Sequence, residues 1–413
     1  MKIALVCPYN MFERPGGVQQ LITHLHEGLV KKGHVVKVIT QRPTGFKGSV
    51  PEDYILFGTV RSFSGGDGST GAWGMPADRE EINKILQKEK FDVINFHEPW
   101  IPMLAWQMLK HSNAAHVGTF HASLIDTTAG KTWTSSIFTP YGRPLLRQMH
   151  IFTATSPASA GMLINRANMK SPHERELVEN IKYIANGIDL HLYHPPKKKL
   201  PLNGPNTKTI VYVGRLDRRK GVNYLIRAFA ALQDEMPSAY LIIAGEGSLR
   251  GRYEQLAKSL DIKNIHFSGY VSEDEKRRLM GNADVFCSPA LFGESFGIVL
   301  IEAMAMGTPV IGGRNAGYIH VLTGTGRLGL VGPKSIDDFA ARLKLVMTDG
   351  KVNRLLRDWG LREVKKYNYP KIISQYEAAY KEALEQLTNG KAKVKSDESQ
   401  KRTISRFFVR RHA

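Results

Sequence analysis

A chain of 413 residues, of which 42% are hydrophobic and 23% charged, describes a folded globular protein that is long enough for two cores. Its two cysteines, Cys7 and Cys287, lie far apart in apolar runs, which excludes a disulfide framework. No run approaches the roughly 20 apolar residues that span a bilayer, so we expect a cytoplasmic protein. The net charge of +19 is concentrated after residue 190, and it would suit nucleic acid, anionic lipid or a phosphorylated substrate equally well.

Short apolar strands alternate with amphipathic helices in both halves of the chain. The first half opens with the strand KIALVCPY, a loop that contains Gly16 and Gly17, the helix VQQLITHLHEGLVKKG and the strand HVVKVIT. The second half opens with the strand TIVYVG, a basic loop, the helix VNYLIRAFAALQDEM and the strand AYLIIAGEG. Further strands are predicted at residues 91–97, 115–121, 150–156, 264–270, 283–289 and 308–313. This alternation predicts an α/β protein with two Rossmann-like, doubly wound parallel-sheet domains, whose strands end at a shared cleft.

A segment rich in Pro, Gly, Asn and Lys, residues 186–206, has the composition of a linker between the two halves. The predicted units are an N-terminal domain over 1–188, a C-terminal domain over 189–368, a last helical segment over 369–388 and a basic tail over 389–413. The tail is low in hydrophobic residues, so we expect it to be disordered. Its basic and aromatic end, ISRFFVRR, would attract anionic lipid, although a disordered solubilising end explains the same composition.

The stretch GESFGIVLIEAMAMGTPVI, residues 293–311, places Glu294 and Glu302 eight positions apart around a helix that is predicted to begin near Gly297. The unpaired amides and positive dipole end at a helix start favour a phosphate group. The two carboxylates would then meet different parts of one ligand, because a carboxylate can accept two hydrogen bonds from the vicinal diol of a sugar or ribose. The alternative is a core salt bridge for Glu302 and a solvated loop position for Glu294.

Two loops that follow strands have residues suited to phosphates. In VGRLDRRKG, residues 213–221, Arg215 offers a bidentate fork and Lys220 a point charge to a diphosphate, although a solvated basic loop explains the same residues. Gly16 and Gly17 would let the backbone approach a phosphate or a sugar at the next helix start. Neither this loop nor AGEGSLR has the G-x-G-x-x-G fingerprint, which disfavours an NAD-dependent dehydrogenase.

Two histidines stand at strand ends, His97 in NFHEP and His121 in TFHAS, and both are expected to project towards the cleft. A structural role is the alternative for each of them. The histidines have no metal-ligand spacing, so no metal site is predicted. The acidic run SEDE, residues 272–275, is interpreted as a helix start.

Together, in this order, these motifs resemble the family-four retaining glycosyltransferases, which have the GT-B fold, over roughly residues 1–388. The E-x7-E signature of that family stands here as ESFGIVLIE. Within the family, RPGGVQQ, FHEPWIPML and GTFHASL are similar to bacterial phosphatidylinositol α-mannosyltransferases, which use GDP-mannose. The resemblance implies a retaining transfer of a hexose, first of all mannose from GDP-mannose, to a lipid or polyol acceptor such as phosphatidylinositol. It also implies that the last helix returns to the first domain. Because the chain has no metal-ligand spacing among its histidines, we expect neither a metal nor another cofactor.

The resemblance assigns roles residue by residue. Arg215 and Lys220 would hold the donor diphosphate, Glu294 the hydroxyls of the transferred sugar and Glu302 those of the ribose. The other expected donor residues are Gly16, Gly17, Val271, Glu273, Phe296, Gly297 and Ile298. His121 would lie near the anomeric carbon, which makes His121, Arg215, Lys220 and Glu294 the expected catalytic set. Tyr9, Gln19 and His97 would face the acceptor.

The resemblance also places Val271 and Glu273 beside the base, and the carboxylate of Glu273 bears on which base this is. A carboxylate accepts hydrogen bonds from both N1–H and N2–H₂ of guanine, whereas uracil offers a single donor of this kind. Glu273 therefore favours GDP, although SEDE also fits a simple helix start. A related transferase that uses a UDP-sugar on another acceptor is the alternative. A catalytically silent sugar-nucleotide-binding protein is disfavoured by the intact motifs, and a nucleic-acid-binding protein by the absence of a recognisable module.

Two departures from the close relatives leave the acceptor open. Where those relatives have a basic residue after the strand-end histidine, this chain has Asp126, with Lys131 as the nearest substitute. The segment that corresponds to their basic membrane-docking helix, residues 75–91, has mixed charges. Trp73, Trp100 and Trp106 would still supply aromatic anchors at a membrane surface, so peripheral association with the inner face of the cytoplasmic membrane is a further expectation.

Overall fold

The structure is a computed structural model, and it describes residues 1–12, 16–43, 45–64, 70–74, 77–99, 101, 104–123, 145, 147–161 and 172–389. Its described strands form two sheets. The first sheet consists of β1 (Lys2–Cys7), β2 (Val35–Pro43), β3 (Tyr54–Ser64), β4 (Thr70–Gly74), β5 (Val93–His97), β6 (Ala115–Phe120), β7 (Ile151–Ala154) and β8 (Lys182–Tyr183). Its order is β4-β3-β2-β1-β5-β6-β7-β8, and its neighbours are parallel except for the antiparallel pair β3 and β4.

The second sheet is parallel in all its pairs and has the order β11-β10-β9-β12-β13-β14. Its strands are β9 (Lys208–Val213), β10 (Ala239–Ala244), β11 (Ile265–Gly269), β12 (Val285–Ser288), β13 (Val310–Gly313) and β14 (Leu330–Val331). In each sheet the chain runs outward in both directions from a central strand, β1 or β9. The predicted fold of two Rossmann-like, doubly wound domains is therefore confirmed.

Helices connect the strands and cover the sheets, and each sheet with its helices is called a lobe. The helices of the first lobe are α1 (Gly17–Lys31), α2 (Arg79–Glu89), α3 (Leu104–Leu109) and α4 (Pro172–Glu179). In the second they are α5 (Val222–Glu235), α6 (Arg250–Ser259), α7 (Glu273–Asn282), α8 (Ile298–Ala305), α9 (Ile336–Thr348) and α10 (Gly350–Glu363). Short 3₁₀ turns lie at Arg218–Lys220, Tyr318–His320, Gly324–Gly329 and Val364–Tyr367. Among the described residues, no helix has the length and apolarity needed to cross a bilayer.

The central strands are buried on both faces. Along β1, Ile3 and Leu5 pack into one apolar cluster, while Ala4 and Val6 pack into the cluster on the opposite face. This is the pattern of a parallel sheet that is covered by helices on both sides, and it explains why the strand sequences are continuously apolar rather than alternating. Cys7 and Cys287 are buried free thiols in the two cores.

The last helix, α11 (Tyr369–Thr388), packs on the first sheet although it follows the second domain. Its buried residues Ile372, Tyr376 and Tyr380 share an apolar cluster with β1 and α1. The chain thus crosses between the lobes twice, and the two crossings pair in an isolated parallel bridge between Ile188 and Asn368. The predicted boundaries at 188 and 368 stay predictions, but both residues lie in this bridge.

Four described strands were not predicted: β3, β4, β8 and β14. Strands β8 and β14 have only two residues each. They are strands because they pair with a neighbouring strand, and hydrophobic periodicity along the sequence does not predict such pairing. The tail from residue 390 onward lies outside the described residues, so its predicted disorder and its lipid-binding end stay predictions.

Candidate functional site

The basic loop after β9 is held by a buried aspartate. Asp217 caps the 3₁₀ turn by accepting hydrogen bonds from the amides of Arg219 (3.0 Å) and Lys220 (3.2 Å). The guanidinium of Arg219 lies 3.3 Å from Asp217 Oδ2 and donates to the carbonyl of Gly293 at 3.2 Å. Arg219 is buried and therefore fastens this loop to the loop that precedes α8. Nothing in the sequence distinguishes Arg219 from the adjacent Arg218 for this role.

Lys220 and Glu294 form an ion pair between those two loops. Lys220 Nζ lies 2.6 Å from Glu294 Oε1, and their side chains are only 15% and 12% exposed. Glu294 is thus not the solvated loop residue of the alternative interpretation. The side chain of Arg215 is 48% exposed, and its Nε lies 3.7 Å from Asp217 Oδ2. Two cations and a carboxylate therefore stand together at one end of the second sheet, where an anionic group and a hydroxyl-bearing group can bind side by side.

The start of α8 is shaped by a glycine. Gly297 has φ of 104°, and a Cβ at this position would stand 2.5 Å from the Tyr318 ring. No side chain caps this helix start, so its orphan amides remain available to a ligand. Phe296 is buried beside it, and Ile298 is half-buried.

The start of α1 in the first lobe faces the start of α8. A Cβ at Gly17 would stand 2.6 Å from Ile298 Cδ1. Next to this approach, the hydroxyl of Ser156 donates to the carbonyl of Ser295. Two helix N-termini therefore meet across the cleft, an arrangement that favours a negatively charged ligand between them.

Glu302 belongs to a second ion-pair cluster. Lys276 Nζ lies 2.8 Å from Glu302 Oε1 and 2.8 Å from Glu273 Oε2. The hydroxyl of Tyr193 is placed to donate to Glu273 Oε2 at 2.8 Å and to Glu302 Oε1 at 3.2 Å. Burial opposes the charged form of Lys276, but the Glu302 and Glu273 carboxylates outweigh it and raise the pKa of Lys276. The alternative interpretation of Glu302, a salt bridge in the core, is therefore correct in part, because Lys276 pairs with it.

One oxygen of Glu302 remains open. Oε2 is buried and has no hydrogen-bond partner among the described residues. Burial acts to raise the pKa of Glu273, but Lys276 and Tyr193 lower it overall, so Glu273 is ionised near pH 7. Val271 is half-buried and precedes Ser272, which caps α7 by accepting from the Glu275 amide at 3.2 Å. The run SEDE therefore begins a helix, as the sequence predicts.

In the first lobe, His97 and His121 are buried against each other. His97 Nδ1 lies 2.8 Å from His121 Nε2, and His97 Nε2 lies 3.2 Å from Asn95 Nδ2. Burial lowers the pKa of His121 to about 3, and burial with the neighbouring His121 lowers the pKa of His97. Both rings are neutral near pH 7. Both ring nitrogens of His97 are already engaged by protein partners, so neither of them is free to bind the acceptor. The expected contact between His97 and the acceptor stays a prediction.

Glu98 is a buried carboxyl that the sequence interpretation passed over. It has φ of 51°, and its Oε1 accepts from the amides of His121 (2.9 Å) and Ala122 (2.6 Å), whereas Oε2 has no partner among the described residues. Burial raises the pKa of Glu98 to about 8, although the two amides oppose the shift. Its place directly after His97 in NFHEP was the one available indication of a role.

Both halves of the chain match known family models. The model described as Glycosyltransferase Family 4 matches residues 15–192, and the model described as Glycosyl transferases group 1 matches residues 196–361. The chain belongs to these glycosyltransferases. The resemblance that the motifs indicate is thereby confirmed.

Relatives of this glycosyltransferase extend over nearly its whole length. A phosphatidyl-myo-inositol mannosyltransferase of Mycobacterium tuberculosis is 30% identical over 92% of this chain and 96% of its own. An uncharacterized glycosyltransferase of Methanocaldococcus jannaschii is 30% identical over 94% of this chain and 100% of its own. The solved structure of Anabaena HepE in complex with UDP-glucose covers 92% of this chain and 99% of its own, with 17% identity and a TM-score of 0.66. The last likeness concerns the fold alone.

The structure of the glycosyltransferase brings most of the predicted site residues to one cleft. Lys220 pairs with Glu294, Arg215 lies against Asp217 of the same basic loop, and Glu273 and Glu302 share Lys276 as a partner. Sequence reasoning missed Tyr193 and Lys276. Tyr193 lies in the linker, where nothing marks it, whereas Lys276 stands three residues after Glu273 on the same helix.

Two of the three expected acceptor residues, Tyr9 and Gln19, lie just after β1 and in the first turn of α1. Tyr9 is half-buried. Burial raises the pKa of its hydroxyl, and the Glu98 carboxyl raises it further. Gln19 donates to the carbonyl of Asn10 at 3.2 Å. Trp106 is half-buried, with Lys110 Nζ 3.3 Å from its ring centroid. Asp126, Lys131, Trp100 and the Trp73 side chain lie outside the described residues.

Within the described part of the chain, no group of three or more His, Cys, Asp and Glu side chains is arranged to hold a metal ion.

Proposed function

We propose that this glycosyltransferase moves a hexose, in the first place mannose from GDP-mannose, to phosphatidylinositol or another polyol lipid, with retention at the anomeric carbon. The observation that carries the proposal is the Lys220–Glu294 pair beside the uncapped start of α8. A cation for the diphosphate thus stands 2.6 Å from a carboxylate for the sugar hydroxyls. The similarity to phosphatidyl-myo-inositol mannosyltransferases over 92% of the chain supports the choice of donor and acceptor.

Charge stabilisation on the departing diphosphate drives the proposed reaction. Arg215, Lys220 and the N-terminus of α8 neutralise the negative charge that grows on this leaving group. Glu294 binds the hydroxyls of the sugar and Glu302 those of the ribose, so neither of these two acts as the nucleophile or acid of a glycosidase. Closing of the two lobes aligns donor and acceptor and excludes water.

The base is proposed to be guanine because of Glu273. One of its oxygens is engaged by Tyr193 and Lys276, and the side chain as a whole is 54% exposed, which leaves the other oxygen open to a ligand. The anionic form that Lys276 and Tyr193 favour is the form that accepts from N1–H and N2–H₂. A UDP-sugar donor is the second candidate, since HepE of the same fold is known in complex with UDP-glucose.

Measuring nucleotide affinity for matched variants tests the base. Glu273→Gln removes the anionic acceptor and should weaken GDP binding about tenfold, with little change for UDP, because a hydrogen bond to a charged group contributes roughly 1.5–3 kcal/mol. Asp274→Asn is the control, since Asp274 is adjacent on the same helix turn and its side chain is 90% exposed. Equal losses of GDP and UDP affinity in Glu273→Gln would contradict the choice of guanine.

The donor and the acceptor are identified by product analysis. The enzyme is incubated with labelled GDP-mannose, UDP-glucose and other nucleotide sugars, together with liposomes that contain phosphatidylinositol or lack it. We expect labelled α-mannosyl phosphatidylinositol, formed equally well in EDTA because no metal step is proposed. Transfer from UDP-glucose alone, or an inverted β-product, would overturn the respective part of the proposal.

Such an acceptor would place the enzyme at the inner face of the cytoplasmic membrane. We propose peripheral binding there, to which the basic tail from residue 391 contributes. Deletion of residues 391–413 should then weaken binding to anionic liposomes and leave the hydrolysis of the donor in solution unchanged. Unaltered liposome binding would assign the tail a solubilising role only.

A further inference from the structure

A series of buried hydrogen bonds joins the last helix of the protein to His121. Tyr380 on α11 is fully buried, and its hydroxyl oxygen accepts a hydrogen bond from Asn95 Nδ2 at 2.7 Å. The same amide nitrogen lies 3.2 Å from His97 Nε2, and His97 Nδ1 lies 2.8 Å from His121 Nε2. The helix at the end of the chain is thus connected to the expected sugar-binding histidine through two residues at the end of β5.

The surroundings of the Asn95 amide determine its orientation. Its oxygen accepts from Thr119 Oγ1 at 2.7 Å, and its nitrogen has two acceptors, Tyr380 Oη and His97 Nε2. Both amide hydrogens are therefore satisfied. In the reversed orientation the nitrogen would face Thr119 alone, and one buried N–H would have no acceptor, which is costly in a protein interior.

This orientation fixes the protons on both histidines. Because Asn95 donates to His97 Nε2, the proton of neutral His97 is on Nδ1, from which it is donated to His121 Nε2. The proton of neutral His121 is then on its own Nδ1. That nitrogen is buried and has no hydrogen-bond partner among the described residues, so its N–H is left for a ligand.

We propose that Tyr380 is a positioning residue that, through Asn95 and His97, holds His121 as a hydrogen-bond donor towards an oxygen of the bound sugar. The sugar as ligand rests on the proposed function, whereas the proton positions do not. One further contact supports a fixed donor. Glu98 Oε1 holds the His121 backbone amide at 2.9 Å. The two imidazole rings are within 13° of parallel and their centroids are 5.1 Å apart, as expected for rings that share one hydrogen bond edge to edge.

The removal of one hydroxyl group tests the proposal. In Tyr380→Phe, either orientation of the Asn95 amide leaves one N–H without an acceptor, so the two orientations become comparable in energy and both histidine tautomers are populated. The matched control is Tyr376→Phe. Tyr376 lies one turn earlier on α11, is equally buried and has no hydrogen bond to Asn95; its hydroxyl has no partner of good geometry within the described residues, although nearby Thr153 affects its pKa.

The first readout is the tautomer of His121 in the protein without any ligand. Protonated and bare ring nitrogens have well separated ¹⁵N chemical shifts, and the resonances of His121 are identified by their loss in His121→Gln. We expect protonated Nδ1 and bare Nε2 in the wild-type protein and in Tyr376→Phe, and a mixture in Tyr380→Phe. A bare Nδ1 in the wild-type protein, or an unchanged tautomer in Tyr380→Phe, would overturn the proposal. The wild-type measurement decides even if Tyr380→Phe does not fold.

The second readout is sugar transfer. Turnover with GDP-mannose should fall about twofold to tenfold in Tyr380→Phe, the value of one ordinary hydrogen bond, with KM for the donor little changed and Tyr376→Phe close to the wild type. If no nucleotide sugar is used at all, the proposed function fails while the tautomer result stands. If transfer is normal and the tautomer is mixed, the donor role of His121 is wrong.

Discussion

The two walls of the cleft use opposite kinds of polar group. The charged wall comprises Arg215, Lys220, Glu273, Lys276, Glu294 and Glu302 of the second lobe, and the neutral wall comprises Asn95, His97, Glu98 and His121 of the first. On the charged wall, partners shift titratable groups towards their ionised forms, as the raised pKa of Lys276 and the lowered pKa of Glu273 show. On the neutral wall, burial lowers the pKa of both histidines and raises that of Glu98 to about 8.

This difference arises because, within the part of the chain that the structure describes, only the charged wall has opposite charges that compensate the burial of ionised groups. A buried charge is tolerated where an opposite charge or a ligand meets it, and each lysine of the charged wall contacts a carboxylate within 2.8 Å. The neutral wall has no such counterions within hydrogen-bond distance among its described residues, so its groups stay uncharged and orient a ligand by hydrogen bonds. We infer that charge recognition belongs to one lobe and orientation to the other.

Lys220→Ala should produce the largest effect, because it breaks the charged wall at its centre. It removes the cation that we propose stabilises the leaving group, and it leaves Glu294 without its partner at 2.6 Å. Turnover should fall at least about a hundredfold, since one stabilising group on developing charge contributes roughly 3 kcal/mol. The measurement is the initial rate of sugar transfer at saturating donor.

Arg218→Ala is the control for this change, because Arg218 is an exposed cation of the same 3₁₀ turn. Its turnover should stay within about threefold of the wild type, since exposed charges contribute little. Circular dichroism confirms that both variants are folded. Near-normal turnover in Lys220→Ala, or equal losses in both variants, would contradict the division between the walls.

Gly17→Ala tests whether the two walls meet as the structure has them. The added methyl would stand 2.6 Å from Ile298 Cδ1, so closing of the lobes is hindered and turnover should fall roughly tenfold. The double variant Gly17→Ala with Ile298→Val lacks that Cδ1 and should recover most of the loss. Gly251→Ala in α6 is the control, since a Cβ there meets nothing within 4 Å. A double variant as slow as the single one would argue against this contact.

Glu98→Gln should give the smallest effect, a change in the pH dependence of stability. Burial raises the folded-state pKa of Glu98 to about 8, so the folded protein binds a proton that the unfolded chain has lost above its ordinary value of 4.5. The contribution of Glu98 to the stability of the wild type therefore falls as pH rises towards 8. Between pH 6.5 and 8 this loss is on the order of 1 to 2 kcal/mol, and Glu98→Gln should lack it.

Urea unfolding of both proteins across this range measures the difference. The difference between the two proteins is the quantity to compare, because the lowered pKa values of His116, about 4, and His121, about 3, act on both proteins alike as the unfolded histidines become charged around pH 6.5. Parallel stability curves from pH 6.5 to 8 would show that Glu98 is ionised in the folded protein.

The fold was predictable where elements have a strong local pattern. Strands such as β1 and β9 are continuous apolar runs, and α1, α5 and α11 have apolar faces of helical period. The edge pair β3 and β4 was not predicted, because Tyr54–Ser64 mixes apolar residues with Gly, Arg and Ser. In addition, the antiparallel return of β4 depends on its pairing with β3 and not on a hydrophobic pattern in the sequence.

The candidate site was predictable in its ordered motifs but not in its pairings. Glu294 and Lys220 were each expected to contact a donor, whereas their contact with each other joins residues 74 positions apart. The partners of Glu302 come from α7 and from the linker, and Asn95 meets a tyrosine 285 positions later. Such contacts depend on how sheets and helices pack, which a single sequence does not contain.

The bridge between Ile188 and Asn368 has a consequence for limited proteolysis and for the separate expression of the two domains. Since α11 is embedded in the first lobe, a protease cut anywhere in 197–206 leaves the two fragments tied together by the second crossing, and the nicked protein should elute from a sizing column as one particle. Residues 1–188 expressed by themselves would lack the partner of Asn95 and the apolar cover of α1, so that fragment would aggregate unless residues 369–388 were supplied.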